Sequence, residues 1–147
     1  HRPANTYVAK FVGTPSINLI EGRFVEAECV IDLGFSTINA TEEMSSALKE
    51  SASGPEIIVG IRPENISVSQ EPVAGFVKGE VYVMQPLGSE TQFEIKVGEH
   101  IITAKAFGSY SSKIGDPIWF TYNREKVYLF DKKTGNLILS LSKMSSS

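Results

Sequence analysis

The chain has 147 residues, 41% hydrophobic and 21% charged, a balance that supports a packed core and excludes a disordered polypeptide. Its 14 Lys and Arg against 17 Asp and Glu give a net charge of −3 and are spread along the chain, which leaves no basic footprint for nucleic acid. Cys29 is the only cysteine, so an internal disulfide or a cysteine-based zinc site is excluded and a reducing compartment is expected.

At the N-terminus, "HRPANTYVAK" has no starting Met and no signal-peptide core, which suggests a piece of a longer protein. No apolar run approaches the ~20 residues of a membrane-spanning helix. Residues 3–12 read as a short helix: Pro3 suits a first turn, and Tyr7, Val8 and Phe11 share a face. Gly13 and Pro15 stop it, and so short a helix needs a neighbour for its apolar side. From Gly22 the period changes to two. Val25, Ala27, Cys29, Ile31 and Leu33 alternate with Glu26, Glu28 and Asp32, which predicts one half-buried strand with Cys29 as a buried, inert thiol.

"NATEEMSSALKESASG" (39–54) fits either a short helix or a Ser-rich loop. In the helical reading Asn39 or Thr41 is the cap, and Met44, Ala47 and Leu48 share a face. Next, "VGIRPENISV" (59–68) sets Arg62, Pro63 and Glu64 side by side between two apolar runs. Pro63 fixes its own φ and biases Arg62 toward extended backbone, while Gly60 permits a close approach or a bulge. The triplet reads as a rigid joint between two β lobes, or as a contact site made by Arg62 and Glu64.

"GFVKGEVYVMQPLGSETQFEIKV" (75–97) predicts a hairpin. Val77, Gly79, Val81 and Val83 line one face of its first strand, and Phe93, Ile95 and Val97 one face of its second. Gln85 to Glu90 form the connection, with Gly88 and Ser89 at the turn. Further strands are expected over 101–107 and near 117–122, 126–131 and 136–141, with "DKKTG" (131–135) as a turn. Seven to nine short strands with close turns suggest a small all-β barrel or sandwich, in two lobes.

The chemistry of an enzyme is missing from the text. There is no phosphate-binding G-x-x-x-x-G-K-[ST], no G-x-G-x-x-G and no G-x-S-x-G. His1 and His100 are far apart, and His100 beside Glu99 reads as a solvated turn residue. Glu26 and Glu28 share the solvent side of the expected strand. No catalytic, cofactor-binding or metal-binding residue is assigned.

The stretches "RPANTYVAKFVGTPSIN" (2–18), "VGIRPENI" (59–66), "GEVYVMQPLGSETQFEI" (79–95) and "VYLFDKKTGNLI" (127–138) resemble the C-terminal region of the ATP-binding subunits of sugar-type ABC importers. "GIRPE" together with "LGSET" carries the resemblance, and Asn65 departs from it, standing where the family often has His. The resemblance implies OB-fold-like small β-barrel lobes of TOBE/MOBE type with one or two short helices. It implies a join to a nucleotide-binding domain over 1–15, with Tyr7, Val8 and Phe11 as the contact face. A regulatory domain follows over 16–147, its two lobes connected around 59–68. The implied role is regulation and dimerisation of a sugar importer's ATPase subunit, with ATP and Mg belonging to the parent and none held here. The implied partners are a second copy of the subunit, its own nucleotide-binding domain, permease subunits and a regulatory protein, at the cytoplasmic face of the membrane. Interface or regulatory residues are Gly60, Arg62, Pro63, Glu64, Gly88, Ser89, Glu90 and Thr91.

Two other classes stand beside this one. A module sensing a small oxyanion or solute would use Arg62 with Ser89 and Thr91. A nucleic-acid OB-fold would stack bases on Tyr82, Phe93 or Trp119, but Phe93 lies on the apolar period and no basic groove frames Tyr82.

Overall fold

The structure, a computed structural model, describes residues 17–141. The expected helix at 3–12, with Tyr7, Val8 and Phe11, lies outside the described residues. The chain divides into two compact units, one built from the residues up to Ile61 and from Arg124 onward, the other from Arg62–Asn123.

Among the described residues the first unit is a six-stranded antiparallel sheet with one α-helix. Its strands are β1 (Asn18–Val25), β2 (Val30–Asp32), β3 (Thr37–Asn39), β4 (Glu56–Ile61), β10 (Val127–Asp131) and β11 (Leu137–Ser140), in the order β11-β10-β4-β1-β2-β3. β4 is central, so its run Ile57, Val59, Ile61 is buried between two neighbours. The helix α1 (Glu42–Ser51) begins where the Thr41 hydroxyl accepts a hydrogen bond from the Met44 N–H at 3.2 Å. Glu42 and Glu43 in its first turn and Lys49 in its last suit the helix dipole. Met44 and Leu48 bury its apolar side, with Ala47 half-buried. The helical reading of 39–54 is the one the fold adopts.

The strand expected through Val25, Ala27, Cys29, Ile31 and Leu33 does not form as one piece. Glu26–Glu28 make a 3-10 turn, and Cys29 adopts φ 55°, ψ 46° to reverse the chain into β2. Phe24 then pairs with Ile31 and Val25 with Val30. Cys29 is exposed rather than buried, as is Ala27, because both sit at a hairpin corner. Before the corner the inward residues are Ile20, Gly22 and Phe24; after it they are Ile31 and Leu33. The corner switches the inward set from even to odd numbers, and the alternation read from sequence ran straight across it.

The second unit holds β5 (Ile66–Ser69), β6 (Val77–Leu87), β7 (Glu90–Val97), β8 (His100–Phe107) and β9 (Pro117–Tyr122), in the order β5-β9-β6-β7-β8. Its core is Ile66, Val81, Phe93, Ile95, Val97, Ile102, Ala104, Ile118, Phe120 and Tyr122. The two edge strands, β5 and β8, approach each other and curl the sheet toward a barrel. Along β6 the expected inward face fails after Val81. The pairing steps from Val81–Ile95 to Val83–Glu94, leaving Tyr82 as a bulge. Val83 is therefore at the surface, 36% exposed, and Met84 takes the place opposite Phe93. The connection is also shorter than expected. β6 runs through Pro86 and Leu87, and the loop is Gly88-Ser89 alone, with Gly88 at φ 81°, the Gly-first pattern of a type II′ turn.

Candidate functional site

The two motifs that stood out in the sequence end up on different kinds of ground. Gly60 lies within β4, which continues to Ile61 instead of stopping at the glycine. It pairs with Leu19 on one side and Tyr128 on the other. A Cβ there would lie 3.1 Å from Ile17 Cδ1 and 3.3 Å from Phe130 Cε2, so the glycine makes room for packed side chains and forms no bulge. Gly60 is buried.

Arg62 opens the second unit in extended backbone, φ −74° and ψ 144°, as a residue before proline prefers. Pro63 starts a 3-10 turn, Pro63–Asn65, and is itself buried. The Asn65 N–H donates to the Arg62 carbonyl at 3.0 Å, and the Asn65 carbonyl accepts from the Asn123 N–H at 3.0 Å. This turn packs against β8 and holds Glu64 on its exposed side.

"LGSET" is locked to the far end of β8. The Gly108 N–H donates to the Ser89 carbonyl at 2.9 Å, and the Thr91 hydroxyl donates to the Gly108 carbonyl at 2.8 Å. Thr91 is 2% exposed, so it fixes the strand end from inside rather than meeting a partner. Gly88 and Ser89 are exposed, and Glu90 is half-buried. Leu87 pairs with Glu90, and Glu90 with Phe107, forming one row across three strands.

Glu64 and Glu90 meet at the same cavity. It has a volume of about 310 Å³, and Ile66, Val68 and Ala106 are the aliphatic part of its lining. Ser67, Lys105, Phe107 and Tyr110 complete its lining. The Tyr110 ring is held edge-on against Phe93, centroids 5.0 Å apart and planes at 82°. With two glutamates and one lysine in its lining, the cavity carries net negative charge. Arg62, Ser89 and Thr91, the trio considered for an oxyanion, do not line it.

Sequence reasoning reached Glu64 and Glu90 but missed Ser67, Lys105, Phe107 and Tyr110. One signal was available: Ile102 and Ala104 face inward on β8, so Phe107 is an aromatic on the outward phase. The expected stacking residues part ways. Phe93 is core, Tyr82 is exposed at the bulge, and Trp119 has the Lys78 ammonium 5.9 Å from its ring centroid. His100 begins β8 and is half-buried.

A second polar node, in the first unit, was also missed. Asp131 is 1% exposed. It accepts hydrogen bonds from the Ser53 N–H at 3.0 Å, the Ser53 hydroxyl at 2.7 Å, the Thr134 hydroxyl at 2.8 Å and the Thr134 N–H at 3.1 Å. Burial acts to raise its pKa, but these four bonds outweigh it and hold the carboxyl below the ordinary aspartate range. The arrangement ties the "DKKTG" turn to the end of α1 and has the character of a structural clasp. Among the described residues no group of three or more His, Cys, Asp or Glu is placed to hold a metal ion, and no helix is long and apolar enough to cross a membrane.

Residues 13–66 match the model of the MalK OB fold domain family, and residues 59–130 that of the TOBE domain family. The multiple sugar-binding transport ATP-binding protein MsmK of Streptococcus mutans is 34% identical over 139 residues, covering 91% of this chain and 37% of that protein. The trehalose/maltose import ATP-binding protein MalK of Thermococcus litoralis is 28% identical, covering 93% and 38%. The sn-glycerol-3-phosphate import ATP-binding protein UgpC of Pectobacterium atrosepticum is 27% identical, covering 91% and 36%. The chain thus spans a little over a third of the length of these relatives. Among solved structures, the molybdate-bound form of the cytoplasmic molybdate-binding protein ModG is 14% identical with a TM-score of 0.58, covering 76% of this chain and 94% of that one. That likeness is one of fold alone.

Proposed function

We propose that this chain, which belongs to the MalK OB fold domain and TOBE domain families, is the regulatory and dimerisation part of the ATPase subunit of a sugar-type ABC importer. In this reading it is non-catalytic, and ATP and Mg are held by the nucleotide-binding domain of a longer parent. Its partners are a second copy of the subunit, that nucleotide-binding domain, the permease subunits and a regulatory protein, at the cytoplasmic face of the membrane. The solute is a sugar or a related molecule such as a glycerol phosphate.

The observation that carries the reading is the succession of the two family models over residues 13–130. The surface supports it. Leu87, Glu90 and Phe107 form a row on one sheet face, with Leu87 43% and Phe107 82% exposed. A large aromatic so exposed, with Leu87 in the same row on the other side of Glu90, is a feature that interaction surfaces share. An antibody raised to the chain tests the proposal in source cells. A band far heavier than 16.1 kDa that sediments with membranes is the expected result; a soluble band near 16.1 kDa would overturn it.

The second reading, a small-ligand sensing module, is favoured by the cavity between Glu64 and Glu90. Its negative lining turns that reading away from an oxyanion and toward an uncharged solute.

A further inference from the structure

The cavity of the second unit holds polar groups that the fold leaves unused. Glu64, Ser67, Glu90 and Lys105 all line it, and none has a side-chain hydrogen bond or ion pair among the described residues. They come from four places: the turn after β4, β5, the start of β7 and the end of β8. Convergence of unspent donors and acceptors from separate elements on one concavity is the usual mark of a ligand site.

Charge and shape narrow the ligand. Glu64 and Glu90 against Lys105 repel a phosphate, a sulfate or a nucleic-acid backbone. Two acceptors and one cationic donor suit a molecule rich in hydroxyls, which donates to the carboxylates and accepts from the ammonium. The rings supply the other half of such recognition. Tyr110 is held in place by Phe93, and Phe107 stands 82% exposed at the rim, a surface onto which the apolar face of a sugar ring can lie. The volume of about 310 Å³ is at the small end of ligand pockets, room for about one or two sugar rings. Small open barrels of this kind also bind oligosaccharides along strand and loop surfaces.

We propose that this cavity binds a neutral saccharide, its hydroxyls held by Glu64, Glu90 and Lys105 and its ring stacked on Phe107 and Tyr110. This deepens the ligand-sensing reading and rests on it. A sugar bound here reports its concentration to the protein without passing through any catalytic centre.

Titration of the 147-residue chain with maltose, trehalose and maltotriose, followed by amide NMR, tests the proposal, with molybdate and sulfate as charged controls. The expected result is saturable shifts confined to the neighbourhood of Glu64, Ser67, Glu90, Lys105 and Phe107, with a dissociation constant on the order of millimolar. In Glu64→Ala, Glu90→Ala and Phe107→Ala the constant should rise by roughly 10-fold or more. Glu64 and Phe107 are exposed, so their variants keep the fold, which an unchanged spectrum of the free protein verifies. No saturable shift with any of the three sugars, shifts elsewhere, unchanged affinity in the variants, or a cavity that answers to molybdate or sulfate instead would each overturn it. The immunoblot concerns the parent polypeptide and the titration concerns this cavity, so the two proposals fail separately.

Discussion

At the scale of single residues, the polar side chains of this molecule divide into those the fold consumes and those it leaves over. Asp131 is the clearest consumed group. Its carboxylate takes four hydrogen bonds from Ser53 and Thr134 while lying 1% exposed. Removing it strands the donors that it satisfied, so Asp131→Ala should cost about 2 kcal/mol at neutral pH, read by urea unfolding. The pH dependence has a definite sign. The folded pKa lies below the unfolded one, so between the two values the unfolded chain binds more protons and stability rises with pH. The contribution is complete above the unfolded value, roughly 3.9, and is lost as pH falls through the folded value. The gap between wild type and Asp131→Ala should therefore narrow when the measurement moves from pH 7 to about pH 3. A gap that stays constant would show that the clasp works without its charge. Glu64, Glu90 and Lys105 are the contrasting case: they line one cavity of the second unit and make no side-chain hydrogen bond or ion pair among the described residues.

At the scale of elements, β6 and β7 show how far sequence pattern reaches. The alternation Phe93, Ile95, Val97 was legible because β7 runs unbroken through the unit. β6 was legible only to Val81. The bulge at Tyr82 inserts one residue and moves every later side chain to the opposite face, and period counting cannot see it. Cys29 failed for a related reason, since a corner in left-handed backbone fell inside an alternation that happened to continue in the text. The candidate site was half legible. "GIRPE" and "LGSET" delivered Glu64 and Glu90, whereas Lys105 and Tyr110 come from ordinary-looking strand and loop text that only the approach of β5 to β8 brings alongside. The same hairpin supports a packing test. A Cβ on Gly79 would lie 2.6 Å from Ile95 Cγ2 and 3.0 Å from the Lys96 carbonyl oxygen. Backbone cannot yield as a side-chain tip does, so Gly79→Ala should destabilise by about 1–3 kcal/mol. Gly54→Ala, where nothing lies within 4 Å, is the control and should change stability by roughly 0.5 kcal/mol or less. Equal unfolding midpoints for the two variants would sink the argument.

At the scale of the whole molecule, the chain order is an insertion. β4 ends at Ile61 and β10 begins at Val127, and these two residues are paired neighbours in one sheet. All five strands of the second unit fall between them. The second unit is also closed at its own ends: Ile66 pairs with Tyr122, and the Asn123 N–H donates to the Asn65 carbonyl. Its core side chains all come from within Arg62–Asn123. The first unit lacks that independence, because β4 is buried between β1 and a strand that the chain supplies only after the insertion. Cutting at the boundary should therefore have unequal consequences. A fragment of residues 62–123 is small enough to be marginal, yet it keeps every partner of its sheet, so it should give dispersed amide signals and a cooperative thermal transition of its own. A fragment of residues 1–61 loses β10 and β11 and exposes the full edge of β4, an unpaired apolar strand prone to association. It should stay unfolded or aggregate until residues 124–147 are supplied in trans or fused directly after Ile61. A disordered 62–123 fragment would remove the premise that the candidate saccharide cavity sits in a self-sufficient unit. A folded one would allow the sugar titration to be repeated on that unit alone, with the same residues expected to respond.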